Sequence, residues 1–312
     1  MTRFVLRRLA AIVLVSLGIV FFCALGMKMT ANARGGAGGL HSVRLLPEAA
    51  QATLSYLRGL FTGNVGYVWL GSGRSKTATP ITFVLADTYV KSMGLLFVSM
   101  IVAAIVGVGT GVLAAYWEGT PLSLAFLTTT LLGVSLPTFF TALSLQVLEI
   151  SWYRRTGFRL VPVGGFGWDA HLVLPALVLA ARPLAQLARV TCVSLSEVAH
   201  QDYVQTAHAK GLSRRQVWGS HVLPNAMVSI LTALGVSVRF SLGSLPVVEY
   251  FFGWPGLGAM LLTAIQMRHT NLLITLALAL GLTFMCTNLL LDLAYRVLDP
   301  RLRETVQVPS RE

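Results

Sequence analysis

Long uncharged stretches dominate the chain, and they predict helices that cross a lipid bilayer. Four runs of 19 to 30 residues contain no Asp, Glu, Lys or Arg. A transmembrane helix needs about 20 consecutive apolar residues, and four such runs would be rare in a soluble protein. The runs cover residues 9–27, 92–117, 119–148 and 270–291.

Two further apolar stretches are interrupted by charge. Residues 171–193 contain Arg182 and Arg189, and residues 222–248 contain Arg239. Both stretches are long enough to span a bilayer. Because lipid offers no partner for unsatisfied backbone groups, each must be helical. We therefore expect an all-α integral membrane protein with about six transmembrane helices.

The segment between the first and second spans predicts a small cap outside the membrane. Residues 31–39 are rich in Gly and indicate a flexible stretch. The residues from Pro47 to Phe61 predict a helix. Residues 64–80 are rich in Gly, Ser and Thr, and we interpret them as loop.

The distribution of Lys and Arg predicts the orientation of the chain. With the N-terminus in the cytoplasm, eleven of these residues fall on inner segments and four in short outer loops. Inner loops carry the excess of Lys and Arg in membrane proteins, whereas a long outer segment such as 28–91 translocates largely regardless of charge. Both termini are therefore expected in the cytoplasm. The same bias explains the net charge of +12 without a nucleic-acid partner.

Several other kinds of site are not supported. The three cysteines are far apart, which argues against a disulfide framework, and the six histidines lack metal-ligand spacing. The stretch 71–77 is similar to a phosphate-binding loop, but Ser75 stands where that motif requires Gly before Lys. The small residues from Gly107 to Gly111 fit close helix packing better than nucleotide binding.

The cytoplasmic loop at 197–218 predicts a short helix, a break and a second helix. Asp202 as the cap and Gln205 at the third helical position fit a capping box. Lys210 falls in the last turn, where a cation suits the helix dipole. Gly211 can adopt the left-handed conformation that ends a helix.

A second possible capping box, formed by Ser213 and Gln216, predicts the helix that leads into the fifth span. Tyr203, Val204 and Ala207 are expected on one side of the first helix. From these residues alone, an ordinary amphipathic connector and a mechanical docking element are equally good interpretations.

This loop resembles the coupling loop of permeases in binding-protein-dependent ABC transporters. Those loops end in Ala-x-x-x-Gly, which Ala207 to Gly211 match. The longer pattern Asp-Tyr-Val-x-Thr-Ala-x-Ala-Lys-Gly-Leu of the dipeptide, oligopeptide and nickel permeases is matched from Asp202 to Leu212. Further matches occur in the same order over most of the chain. They lie at Arg7-Arg8, 56–60, 63–66, 111–115, 137–139, Leu174-Pro175, 249–258, 292–295 and 299–301.

Three positions depart from the pattern of this family. His208 stands where the family usually has Arg, the residues from Arg268 to Asn271 replace an Arg-Asp-x-Pro sequence, and the Gly-rich 31–39 stretch replaces a Gly-Asp-Pro sequence. Two of the three lie on the outer side. The resemblance therefore supports the predicted fold better than it supports a prediction of substrate specificity.

The resemblance implies a subunit that forms half of a translocation pathway. Such permeases pair with a second related permease, two cytoplasmic ATPase subunits dock on the coupling helices, and an extracytoplasmic binding protein delivers substrate. This chain is expected to bind no cofactor and to catalyse no reaction, because ATP and Mg²⁺ belong to the ATPase subunits. The coupling residues that the resemblance implies are Asp202, Tyr203, Thr206, Ala207, His208, Lys210, Gly211 and Leu212.

The resemblance also implies a bacterial inner-membrane location and an order of domains. An N-terminal span at 1–28 precedes a cap at 29–87, a permease core at 88–299 and a cytoplasmic tail at 300–312. Peptides are the expected cargo. A nickel or metallophore importer and a membrane scaffold without transport are the alternatives.

Four residues are candidates for the pathway itself. A charge near the bilayer centre is expensive and usually faces a cavity or a partner, so Arg182 and Arg239 fit contact with substrate and structural hydrogen bonds equally well. Glu249, at the outer end of the fifth span, fits a salt bridge or gate contact as well as a substrate contact. Pro137 lies in the third uncharged run, where it is a possible bending point.

Overall fold

The described residues fold mostly into helices, with one small β-hairpin. The computed structural model describes residues 2–34, 42–71, 77–126, 128 and 136–298. Five helices in this part are long and apolar enough to cross a membrane, which confirms the expected all-α membrane fold. They cover Val5–Ala31, Ile81–Tyr116, Ala170–Ala199, Arg214–Phe252 and Thr270–Tyr295.

The helices and strands follow one another in a simple order. A 3₁₀ turn at Ala170–Leu172 precedes the helix Val173–Ala199, and a π turn at Trp218–Val222 precedes the helix Leu223–Phe252. The elements are α1 (Thr2–Arg34), α2 (Ser42–Phe61), β1 (Tyr67–Leu70), β2 (Thr77–Pro80), α3 (Ile81–Tyr116), α4 (Thr138–Thr156), α5 (Val173–Ala199), α6 (Asp202–Ala209), α7 (Arg214–Val217), α8 (Leu223–Phe252), α9 (Leu257–Gln266) and α10 (Thr270–Leu298).

Some sequence predictions fall wholly or partly outside the described residues. The sixth expected span, at 119–148, has helical residues at 121–126 and the beginning of α4 in its described part. The expected flexible stretch at 31–39 begins with four residues that belong to α1. Most of the 71–77 stretch and the whole tail at 300–312 are not among the described residues.

The chain divides into two compact units, and the first contains residues 1–93 and 253–289. Within it, β1 and β2 pair as an antiparallel hairpin, so the prediction of loop is wrong for residues 67–70 and 77–80. Successive residues of β1 point to opposite sides, which buries Val68 and exposes Trp69. The segment is rich in Gly, Ser and Thr, so its composition does not reveal two strands of only four residues each.

The cap helix α2 confirms the helix expected from Pro47 to Phe61, and it begins five residues earlier, at Ser42. Pro47 lacks the N–H of one backbone hydrogen bond, but the helix continues on both sides of it. Tyr56 joins α2 to α10, because its hydroxyl lies 3.0 Å from the Thr275 hydroxyl. Burial raises the pKa of the Tyr56 hydroxyl.

The segment before α9 is fixed to α3 by two hydrogen bonds. The Trp254 ring nitrogen donates to the Lys91 carbonyl at 3.1 Å, and the Leu257 N–H donates to the Ser92 hydroxyl at 2.7 Å. Trp254, Leu257 and Ser92 are all completely buried. Because Leu257 opens α9, Ser92 satisfies one of the N–H groups that the first turn of a helix leaves without a partner.

The second unit contains residues 94–252 and the end of α10 from residue 290. Small residues bring α3 close to α5 within it. A Cβ atom on Gly107 would lie 2.7 Å from the Leu184 carbonyl oxygen, and one on Gly111 would lie 2.6 Å from that of Ala188. The close-packing face expected from Gly107 to Gly111 is thus confirmed.

The loop between α4 and α5, residues 157–172, is held by polar side chains of α4. Glu149 is buried, and one of its carboxylate oxygens accepts from the N–H groups of Leu160 at 2.8 Å and Val161 at 3.3 Å. The side-chain amide of Gln146 donates to the Val163 carbonyl of the loop at 2.8 Å and to the Phe251 carbonyl, near the end of α8, at 3.1 Å. This loop therefore covers one end of the second unit.

The same loop ends in a capped turn. The Asp169 carboxylate accepts from the His171 backbone N–H at 3.1 Å and lies 2.7 Å from the His171 ring Nδ1. The hydrogen bonds to the His171 side chain and backbone hold the pKa of the Asp169 carboxyl below its ordinary value. Beside this turn, the Trp168 ring packs so closely on Gly94 that no Cβ atom would fit between them.

Candidate functional site

The expected coupling segment folds as a short helix, a break and a further helix. Gln201 precedes α6 with extended φ and ψ of −71° and 147°, and Asp202 is the first helical residue. The prediction that Asp202 caps this helix is therefore wrong, and no side-chain cap bond forms at the start of α6. The Gln205 side chain donates instead to the His200 carbonyl at 3.4 Å.

The end of α6 has the expected geometry. Gly211 has a φ of +82°, in the left-handed region. Its N–H donates to the His208 carbonyl at 3.0 Å, and the Leu212 N–H donates to the Ala207 carbonyl at 3.4 Å. These two bonds form a Schellman motif, which satisfies the last carbonyls of the helix. Lys210 occupies the C-cap position, where a cation interacts favourably with the helix dipole.

One side of α6 is buried and the other is exposed. Val204 and Ala207 are 1% and 6% exposed, and they pack in one core with Leu195 of α5 and Val217 of α7. Tyr203 is 45% exposed, so the prediction that it shares a side with Val204 and Ala207 is wrong. Consecutive helical residues are about 100° apart around the axis, which turns Tyr203 away once Val204 points inward.

The exposed side of α6 and the turn after it can receive a partner. It presents the Tyr203 ring, the partly exposed Leu212 side chain and the charges of Asp202 and Lys210. Ala207 is buried and contributes to the attachment of the helix instead. The exposed residues among the eight candidates are Asp202, Tyr203, Thr206, His208, Lys210, Gly211 and Leu212.

The second helix of the segment starts with the expected capping box. Gln216 Oε1 accepts from the Ser213 N–H at 3.1 Å and from the Ser213 hydroxyl at 2.7 Å. The helix α7 is a single turn, and it runs directly through the π turn Trp218–Val222 into α8. The coupling segment is therefore continuous with a membrane span.

Arg182 borders a small cavity in the second unit. Its guanidinium carbon lies 4.5 Å from the centroid of the Phe240 ring, a cation–π contact between α5 and α8. Three hydroxyl-bearing residues, Thr138, Ser241 and Ser244, contribute to the lining of this cavity. Arg182 remains exposed beside them, and a guanidinium in this setting can bind a carboxylate with two hydrogen bonds.

Arg239 forms an ion pair within the second unit. Its Nη2 lies 3.1 Å from Oδ1 of Asp292 on α10, and the two side chains are 32% and 20% exposed. One turn further along α10, the Tyr295 hydroxyl donates to the Thr232 carbonyl of α8 at 3.0 Å. These contacts favour the structural interpretation of Arg239, which joins α8 to α10.

Glu249 and Pro137 occupy different environments from Arg182. Glu249 is completely buried, which favours a contact inside the protein over a contact with substrate. Pro137 is exposed and precedes α4, where its carbonyl accepts from the N–H groups of Phe140 at 2.9 Å and Thr141 at 3.0 Å. Of the four candidate pathway residues, Arg182 borders the cavity, and Pro137 adjoins its lining residue Thr138 in sequence.

Some residues that organise this unit are not singled out by the sequence pattern. Glu149 bounds an uncharged run, and a carboxylate in that position is the signal that could have identified its buried role. Gln146 lies inside the same run and leaves little signal, because amides also occur on exposed helix faces. Arg214 resembles any surface arginine in sequence, and its contacts depend on the fold.

Metal binding has no geometric basis in the described part of the chain. No group of three His, Cys, Asp or Glu residues there could hold a metal ion.

Comparisons with known proteins agree with this arrangement. The family described as binding-protein-dependent transport system inner membrane component matches residues 107–304. The dipeptide transport system permease protein DppB of Escherichia coli K12 is 31% identical over 343 aligned positions, which cover 97% of this chain and 99% of that protein.

Two solved transporters share the fold. The MetNI methionine ABC transporter, in inward-facing conformations, has a TM-score of 0.55 at 18% identity, and the match covers 70% of this chain and 98% of that one. An amino acid ABC transporter crystallised with histidines has a TM-score of 0.54 at 16% identity, covering 69% and 94%.

The fold and the exposed coupling segment together define a multi-pass membrane protein of the transport-permease class. The chain belongs to the family of binding-protein-dependent transport system inner membrane components, whose match spans more than half of it. The resemblance expected from the sequence is therefore confirmed.

Proposed function

We propose that this chain forms half of the translocation pathway of an ATP-driven importer and transmits the motion of the ATPases to it. The observation that carries the proposal is the two-sided helix α6. Its outer side is open to a partner, and its inner side is buried with Leu195 and Val217. Because close-packed side chains transmit displacement, a force on the outer side reaches the adjoining spans.

The partners we propose are a second related permease, two cytoplasmic ATPase subunits and an extracytoplasmic substrate-binding protein. A groove on one ATPase receives α6, with Tyr203 and Leu212 as apolar contacts and Lys210 as a charged one. The ATPase subunits hold ATP and Mg²⁺ and carry out the hydrolysis. This chain binds no cofactor and has no catalytic activity of its own.

The orientation we propose places both termini in the cytoplasm of a bacterial inner membrane. The distribution of Lys and Arg supports it. The geometry of α5 supports it as well, since this helix of 27 residues is about 40 Å long and separates the loop 157–172 from the coupling segment. A cytoplasmic coupling segment therefore requires an outer position for that loop.

Peptides are the cargo we propose. The Escherichia coli relative that aligns with nearly the whole chain is named for dipeptide transport. Arg182 can bind the carboxylate of a peptide, and the adjacent Phe240 ring offers an apolar surface to its side chain. A bare nickel ion would not use these two features, because a guanidinium repels a cation.

The test begins with affinity purification of the tagged chain from its native membrane and mass spectrometry of the copurifying proteins. Recovery of a second permease, two ATPases and a binding protein supports the importer. The recovered complex is then placed in vesicles, and uptake of a labelled dipeptide and of nickel is measured with and without ATP. ATP-dependent dipeptide uptake supports the proposal, whereas nickel uptake alone assigns the other cargo. Recovery of the chain alone, under conditions that keep other transporters intact, contradicts the importer.

A further inference from the structure

Two side chains of the coupling segment hold the end of α3. The Arg214 guanidinium carbon lies 4.0 Å from the centroid of the Tyr116 ring, and its Nη2 donates to the Tyr116 carbonyl. Four residues later, the Trp218 ring meets the same Tyr116 ring edge-on at a centroid distance of 5.3 Å. Residues four apart lie on one helical face, so both reach Tyr116, and we name this arrangement the Tyr116 clasp.

The chemistry of the clasp suits arginine. Tyr116 is the last residue of α3, and its carbonyl has no partner within that helix. A cation here satisfies the carbonyl and interacts favourably with the negative end of the helix dipole. The planar guanidinium of Arg214 stacks on the ring and donates to the carbonyl at once, whereas a lysine ammonium is a compact point charge.

The fold of this region does not depend on the clasp. Val217 and Val222 are completely buried and share a core with Ala114, near the end of α3. Arg214 is exposed, so its removal leaves that core in place. The clasp therefore adds a directional contact to a junction that apolar packing already holds together.

The coupling segment is covalently continuous with α5 at its start and, through the π turn Trp218–Val222, with α8 at its end. The Tyr116 clasp connects it to α3 as well. In the π turn the Leu223 N–H donates to the Trp218 carbonyl, five residues back, which closes a wider hydrogen-bonded ring than an α-helix has. Such turns are frequent at functional sites. A wider turn can absorb part of a displacement of α6 before it reaches α8. The clasp transmits displacement to α3 without passing through the whole of that turn.

We propose that Arg214 is a positioning residue that transmits displacement of the coupling helix to α3 through Tyr116. The inference rests on the proposed function, in which partner ATPases move α6. It gives α3 a place in the transport cycle that the covalent connection to α8 does not supply.

The test uses the complete transporter with its binding protein in vesicles and measures the ATP hydrolysed per dipeptide imported. Arg214→Ala is expected to raise that ratio about two- to fivefold, the factor that an exposed cation–π contact supports, with unchanged assembly. The ratio for Arg214→Lys is expected to lie between those of Arg214→Ala and the wild type. Arg215→Ala, at the next exposed arginine of the same turn, keeps the wild-type ratio. Tyr116→Leu is expected to raise the ratio by a smaller factor in an Arg214→Ala chain than in the wild type, because the cation–π contact between the two residues is then already absent.

A second measurement on the assembled complex does not depend on transport. Spin labels at Ala209→Cys and Leu113→Cys, two exposed positions, report the distance between α6 and α3 in a chain whose native cysteines are replaced. The distance distribution is expected to broaden in Arg214→Ala and not in Arg215→Ala.

The two readouts separate the possible failures. An Arg214→Ala ratio equal to that of Arg215→Ala overturns the clasp and leaves the importer function standing. A wild-type complex that imports no peptide contradicts the proposed function, and the spin-label distances still decide on the clasp: an unchanged distribution in Arg214→Ala overturns it.

Discussion

An arginine within an apolar helix needs a partner or an aqueous cavity, and the two candidate pathway arginines meet this need differently. Arg239 pairs with Asp292, so its charge is compensated inside the second unit. Arg182 stacks on Phe240 and keeps its guanidinium exposed beside a cavity. Of the two, Arg182 keeps an exposed guanidinium, and we propose it as the substrate contact.

Arg182→Ala is expected to raise the KM for dipeptide uptake by about tenfold, the effect of losing one hydrogen bond to a charged group. Vesicle uptake measured over a range of dipeptide concentrations checks it. Arg189→Ala, at another exposed arginine of α5, serves as the control and should leave KM unchanged. Equal KM values for the two variants would remove Arg182 from the pathway.

Gly211 is the residue whose backbone ends the coupling helix. Its φ of +82° costs an L-residue with a side chain about 1–2 kcal/mol, although a Cβ atom there meets nothing within 4 Å. Gly211→Ala should therefore loosen the end of α6 and reduce ATP-driven uptake with little change in assembly. Gly219→Ala also adds a Cβ in open space but without a positive φ, and its uptake should match the wild type. Full uptake by Gly211→Ala would show that this helix end is not needed for coupling.

At the scale of elements, close packing holds α3 against α5. Gly107→Ala would place its Cβ 2.7 Å from the Leu184 carbonyl oxygen, and the backbone cannot yield without separating the helices. We expect the free energy of unfolding to fall by about 1–3 kcal/mol, the usual cost of overpacking. Thermal unfolding of the purified protein measures it. Gly109→Ala is the matched control, because its Cβ meets nothing within 4 Å, and a similar loss in both variants would contradict the packing argument.

Buried Glu149 holds the loop 157–172 through two hydrogen bonds. Glu149→Ala leaves the N–H groups of Leu160 and Val161 without their acceptor, and a hydrogen bond of this kind contributes about 0.5–1.5 kcal/mol to the free energy of unfolding. Amide hydrogen exchange at these two residues should become faster. Glu149→Gln keeps an oxygen acceptor, so the amides of Leu160 and Val161 should exchange more slowly in this variant than in Glu149→Ala. Unchanged exchange in both variants would mean that the loop is held by other contacts.

The sequence predicted those elements that follow from composition and local backbone chemistry. Uncharged runs identify spans because lipid excludes charge, and Gly211 marks a helix end because few residues adopt positive φ. The incorrect predictions concern features that tertiary contacts determine. Val204 rather than Tyr203 turns inward because a core is available there, and the hairpin of β1 and β2 depends on pairing between segments that sequence composition does not reveal.

At the scale of the whole molecule, the remaining question is which end of the second unit faces the cytoplasm. The long helix α5 separates the loop that carries Phe158 from the segment that carries Ala209, and both positions are exposed. We expect Phe158→Cys, in a chain without other cysteines, to react with a membrane-impermeant thiol reagent added outside intact cells. Ala209→Cys should react only after the membrane is permeabilised, because the coupling segment has to meet cytoplasmic ATPases. The reverse pattern would invert the topology and leave α6 out of reach of any ATPase, which would contradict both the excess of inner Lys and Arg and the coupling role proposed for this helix.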